Sequence, residues 1–169
     1  MEASLTIISE KVATSLALFL YVASLFCVSF TAMDGTNNIH GYEALLFGFI
    51  QTLLGLLGFF GALFQLQLDF LIVYALLFLP WLANITMLLS FIFLYTSKNK
   101  KLCKITTIFG LVCTSAFLLK PEATIGETMK IVPVALKSGA YLWFVASLVL
   151  LLAYVLKSIP NTYEPYPRQ

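Results

Sequence analysis

Apolar positions in this chain run together instead of alternating, and the polar ones collect in short bands between them. Charge is absent from 12 to 33, 44 to 68, 70 to 97, 105 to 119 and 138 to 156. Runs of this kind read as bilayer spans, because a hydrocarbon core of about 30 Å needs about 20 apolar residues of helix. Val12 to Met33 is 22 residues, roughly 33 Å at about 1.5 Å each, and spans. Asp34 to Glu43 (DGTNNIHGYE) carries Asp-Gly and Asn-Asn turn signals and reads as a loop. The stretch from Ala44 to Tyr95 holds one charge, Asp69, in 52 residues, and at roughly 78 Å it is too long for one pass. It is expected to fold into two helices, Ala44 to Phe64 and Phe70 to Tyr95, with Gln65, Gln67 and Asp69 at the turn.

Thr96 to Lys104 follows, with four lysines in nine residues. Ile105 to Leu119 is a short span whose flanking Lys104 and Lys120 can reach the two interfaces. Lys120 to Lys137, with two prolines, two glutamates and three lysines, is the longest polar connection. Ser138 to Leu156 is the last span, and the tail from Ser158, with three prolines, is expected to be loosely ordered. The predicted fold class is all-α: a polytopic transmembrane helical bundle of five spans in one domain, 1–157, with a flexible tail at 158–169. The alternative is four spans plus one re-entrant helix, segment two.

Composition agrees with lipid as the solvent. Hydrophobic residues are 60% of the 169 and charged ones 11%, where a soluble domain carries roughly 25% charged. The net charge of +2 offers no basic face for a polyanion, so nucleic acid is excluded as a partner. Cys27, Cys103 and Cys113 form no CxxC pair and read as free thiols. The N-terminus has two glutamates against one lysine and no small-x-small cleavage site follows it, so the first run is expected to stay as an anchor. Cytoplasmic loops collect Lys and Arg, which places the 96–104 loop and the C-terminus in the cytoplasm. Five spans then put the N-terminus outside, with six basic residues inside and four outside; four spans put it inside, seven against three.

Small side chains recur along one face of segment two, Gly48, Gly55 and Ala62 at intervals of seven, with Thr52, Gly58 and Gly61 nearby. Helices in lipid associate through such surfaces. The expected contact is segment one, whose Ala13, Ala17 and Ser24 offer a matching groove; a partner or a second copy is the alternative. In segment three Pro80 leaves the Leu76 carbonyl without its helical donor and predicts a kink. Asn84, one turn on from Pro80 and Trp81, must face the bundle, since an unsatisfied amide in hydrocarbon costs several kcal/mol. Gln51 is its expected mate. Tyr42, Tyr95, Tyr141 and Trp143 lie near span ends and suit the headgroup belt.

No span holds Asp, Glu, Lys, Arg or His in its interior, which disfavours a proton-coupled carrier. His40 beside Asp34 and Glu43 has the residue types of a metal site but not the spacing of a known motif, and reads as a solvated loop. GxSxG, HExxH and P-loop signatures are absent, so no catalytic residue, cofactor or metal is predicted. Cys103, amid lysines, reads as a bystander at the interface.

Pro80-Trp81-Leu82-Ala83-Asn84, preceded by Gly41-Tyr42-Glu43-Ala44-Leu45-Leu46, resembles the AWLAN-type pattern of small uncharacterised bacterial multi-span membrane proteins. Ser138 to Ser147 (SGAYLWFVAS) resembles their GYYLWLAS-type last helix. The likeness covers about a third of the chain, and the apolar stretch before Trp81 is longer here. It implies a multi-pass protein of the bacterial cytoplasmic membrane and brings no activity with it. The expected function is that of a non-catalytic integral membrane protein acting through helix-to-helix contact with another membrane protein or itself, as an accessory subunit of a membrane complex or an immunity protein against a pore-forming toxin. The rival is a small channel or carrier for a neutral or hydrophobic solute, lined by Gln51, Thr52, Asn84 and Ser90.

Overall fold

The computed structural model of the chain describes residues 2–32, 38–96, 99–119, 122–125 and 130–158. The order is α1 (Glu2–Phe26), β1 (Val28–Ala32), β2 (Asn38–His40), α2 (Gly41–Phe64), α3 (Leu68–Thr96), α4 (Lys100–Leu119), β3 (Glu122–Ile125), β4 (Lys130–Leu136) and α5 (Ser138–Ser158). The chain is mostly helical, as expected, but it is not all-α. The first apolar run does not continue as helix to Met33. It leaves the helix after Phe26, and the β-branched and aromatic Val28-Ser29-Phe30-Thr31-Ala32 is extended. The polar connection at 120 to 137 likewise supplies β3 and β4.

These strands form one antiparallel sheet in the order β2-β1-β4-β3. β1 pairs with β2 (Thr31 opposite Asn38) and with β4 (Phe30 opposite Leu136, Ala32 opposite Val134). β4 divides its length: Lys130–Pro133 pairs with β3 and Val134–Leu136 with β1. Pro133, which has no N–H to give, sits where the partner changes, a place a strand tolerates it. Helix ends are tied to this sheet. The Gly41 amide donates to the Cys27 carbonyl at 3.0 Å, and the Lys137 amide to Ser29 at 2.9 Å. Phe30 of β1 meets Phe117, near the end of α4, edge-on at 6.0 Å. The end of α1, the start of α2, the end of α4 and the start of α5 therefore gather at one end of the molecule.

Below the sheet, α1, α4, α5 and the second half of α3 share a core. Its residues recur every three or four positions: Ala13, Ala17, Tyr21 and Ser24 on α1; Ala83, Met87, Ser90 and Leu94 on α3; Cys103, Thr107, Gly110, Cys113 and Phe117 on α4; Gly139, Trp143, Ala146, Leu150 and Ala153 on α5. Many of these are small, while large side chains such as Phe19, Phe26, Ile105 and Leu152 point outward. Lipid tails are as apolar as leucine, so large residues lose nothing by facing them, and small ones let backbones approach. By length and composition α1 (Ser9–Phe26), α4 (Lys100–Leu119) and α5 (Ser138–Ser158) can each cross a membrane. α2 qualifies only as a pair, Gly41–Ile50 and Thr52–Phe64, bent by 41°. Five separate spans are thus not found.

α2 and the first half of α3 form a hairpin beside this bundle, closed by Gln65-Leu66-Gln67. Leu66 there takes a positive φ of 55°, and the Gln67 amide returns to the Ala62 carbonyl at 2.9 Å. The predicted tail lies outside the described residues.

Candidate functional site

Asn84 holds three helices at one point. The Tyr21 hydroxyl of α1 donates to its Oδ1 at 3.3 Å, and the Trp143 indole N–H of α5 donates to the same oxygen at 3.1 Å. An amide oxygen has two lone pairs, and two aromatic donors occupy them. Tyr21 and Trp143 are buried, and rings continue from the node toward the sheet, Trp143 to Phe117 at 6.2 Å and Phe117 to Phe30 at 6.0 Å. The amide faces the bundle, as its chemistry required. Trp143 is not a headgroup anchor, because its N–H has a partner in the core; Tyr42, Tyr95 and Tyr141 are exposed near helix ends. The expected pairing with Gln51 falls on a side chain outside the described residues, and so does the ring of Pro80.

The small face of α2 packs on α3, not on α1. Gly48 lies against the Trp81 indole, Gly58 against the Tyr74 ring, and Thr52, Gly55 and Ala62 are buried along the same side. Trp81 locks the pair: its Nε1 donates to the Leu45 carbonyl at 3.2 Å, and its ring meets Phe49 at 5.4 Å. The groove of Ala13 and Ala17 is instead filled within the bundle, α5 being the main neighbour of α1. α1 and α2 meet at the start of α2, where Gly41 packs against the backbone of Ser24 and Leu25. The predicted residues therefore fall into two groups along α3: Trp81 with Gly48, Gly55, Gly58 and Ala62 in the hairpin, and Asn84, three residues on, in the bundle.

The outer face of α2 carries a second stripe. Leu46, Ile50, Leu53, Leu57, Phe60 and Phe64 alternate steps of four and three, and all are exposed, Leu57 to 71% and Phe64 to 85%. Spacing of 3.5 residues is that of a helix seam made to meet another helix. Sequence reading had singled out the small face and passed over this one.

The far end of the bundle has a cluster that composition did not point to. The Lys157 ammonium of α5 donates to the Leu94 carbonyl, and to Phe93 at 3.4 Å, and lies 3.6 Å from Glu10 of α1. It satisfies carbonyls of the last turn of α3 that have no helical partner. Ser15 and Tyr95 join α1 to α3 nearby at 3.1 Å. Cys103, expected at the interface, is fully buried and free, like Cys113.

His40 and Glu43 start α2: the His40 amide donates to Glu43 Oε2 at 2.8 Å, half of a capping box, and the imidazole stacks on Tyr42 at 5.6 Å. Asp34 lies outside the described residues, and among those described no group of three metal-binding side chains occurs. Of the channel residues, Ser90 donates to the Thr86 carbonyl of its own helix, Thr52 to Gly48 on α2, and Asn84 is held by Tyr21 and Trp143. No family model matches the chain, and no curated protein or solved structure matches it.

Proposed function

We propose that the protein is a non-catalytic membrane protein with four crossings that recognises another membrane protein through the outer face of α2. The uncovered Leu46-to-Phe64 stripe carries this reading. α2 already packs its small face on α3, so its large face is left for lipid or an outside helix, and its heptad-like spacing favours the helix. An accessory subunit of a membrane complex, or an immunity protein that meets a pore-forming toxin within the bilayer, fits such a face.

Parity supports the four crossings. The connection after α1 and the connection before α5 share one sheet, so they lie on one side of the membrane, and an even number of passes must separate them. α4 makes one pass, so α2 and α3 together make an odd number: one. The hairpin of α2 with the first half of α3 then makes no complete crossing of its own. Among the described residues Lys11, Lys100, Lys101, Lys104 and Lys157 fall opposite the sheet and only Lys130 and Lys137 beside it, which favours the cytoplasm for that end and for the N-terminus. Placement in a bacterial cytoplasmic membrane follows the resemblance of Pro80 to Asn84 and Ser138 to Ser147 to bacterial multi-span proteins.

Photo-crosslinking tests the recognition face. A benzophenone amino acid at Leu57 or Phe60 is expected to give one discrete protein adduct in native membranes, while the same probe at lipid-facing Phe19 or Leu152 gives none. Equal behaviour at all four positions would refute the proposal.

A further inference from the structure

Among the described residues, one outer surface of α4 joins two kinds of chemistry along a single line. Lys101, Lys104, Ile105, Ile108, Phe109 and Val112 line an open groove of about 450 Å³, and all six are exposed. Their spacing keeps them on one helical face. The lysines stand at the end of the molecule that holds Lys157, away from the sheet. From Lys104 to Val112 the helix descends roughly 12 Å, close to the depth of one leaflet of a core about 30 Å thick.

The lysines are not neutralised within their turn. No acidic residue occupies the first turn of α4, where partial positive charge from unpaired amides favours anions and opposes cations. Lys100 adds a third ammonium beside them. The groove is thus cationic at the headgroup level and apolar below it.

We infer that this face of α4 is a binding site for an anionic phospholipid of the cytoplasmic leaflet, its phosphate between Lys101 and Lys104 and an acyl chain along Ile105, Ile108, Phe109 and Val112. The inference rests on the membrane reading given above and adds a ligand class to it. Lysine suits this task as a mobile point charge that needs no fixed angle of approach. A zwitterionic lipid has the same chains but cancels the charge, so it is the control ligand.

The test uses the full chain purified in a mild neutral detergent, with thermal unfolding followed as phosphatidylglycerol, phosphatidylcholine or soluble glycerol phosphate is added. Phosphatidylglycerol well above its Kd is expected to raise Tm by roughly 5 °C, and the other two to leave it unmoved. K101Q/K104Q should keep the lipid-free Tm and lose the shift; V112W, which fills the apolar end, should reduce the shift with both lysines present. Native mass spectrometry of the unaltered protein in an equal lipid mixture gives a second measure, with retained phosphatidylglycerol expected in excess. Equal shifts with the two lipids, an undiminished shift in K101Q/K104Q, or a full shift with glycerol phosphate alone would each overturn the site. A chain that stays monodisperse without detergent would instead overturn the membrane reading on which it rests.

Discussion

A methyl group added at Gly58 would collide with the Tyr74 ring, and one at Gly48 would come within 2.8 Å of the Trp81 indole, whereas at Gly61 it would meet nothing within 4 Å. The three glycines stand on one helix and differ only in what they face. Gly61→Ala is expected to stabilise by about 0.5–1 kcal/mol, the helix-propensity difference, and Gly48→Ala and Gly58→Ala to destabilise by about 1–3 kcal/mol through overpacking. Gly41→Ala should cost more than either, since its new carbon would run into the Ser24 carbonyl oxygen and the Leu25 Cα, backbone that cannot rotate aside. Unfolding in a denaturing detergent titration measures the order. Asn84→Leu belongs to the same scale: it strands the Tyr21 hydroxyl and the Trp143 indole N–H, and about 1–3 kcal/mol should be lost. That Asn84 faces inward was legible from its polarity alone. Its partners were not, because a search for amides overlooks the single donors of Trp and Tyr, and these lie 59 and 63 residues away.

Among the elements, the strands decide the topology and were the least visible in the sequence. Cys27 to Met33 continues the charge-free run, so length alone extends the helix into it, and only the alternation of Ser29, Thr31 and their neighbours distinguishes it. Lys130 to Leu136 was masked by Pro133, which argues against a strand until β4 is seen to change partners there. The last four helices were legible to within about five residues from their charge-free runs, whereas α1 begins at Glu2 and ends at Phe26, well before the corresponding ends of the run from Val12 to Met33 that predicted it. Which helix packs on which was not legible, since Gly and Ala suit any close neighbour. The β1–β4 register gives a direct check. Thr31 and Ala135 are opposed Cα partners, a relation that leaves Cα atoms about 4.5–5.5 Å apart, inside the range a disulfide bridges. The double variant Thr31→Cys/Ala135→Cys is expected to crosslink under mild oxidation and to shift in electrophoretic mobility; Thr31→Cys/Lys130→Cys, out of register, is not.

At the scale of the whole molecule, four packed helices, a sheet at one end and a lysine-tied seam at the other leave the α2–α3 hairpin as the part with least internal support. Its outer stripe is apolar and uncovered, yet 44 to 68 carries no charge that would hold it in water, so lipid or another helix must cover it. Parity links this to sidedness. If the two connections share a sheet, the N-terminus and the lysine-rich 96–104 loop lie on one side of the membrane, and β2 lies on the other. Labelling with a membrane-impermeant maleimide, after removal of the native thiol at Cys27, reads this directly. Asn38→Cys should be modified in intact spheroplasts, while Leu5→Cys should be modified only after the membrane is opened. The five-span order makes Leu5→Cys and Asn38→Cys exchange places, because it puts the N-terminus outside and the first connection within. Labelling of Leu5→Cys in sealed cells would count against the cytoplasmic N-terminus, and labelling of Asn38→Cys and Lys137→Cys from opposite sides would count against the shared sheet, since no arrangement of α2 and α3 keeps β1 beside β4 across an odd number of passes.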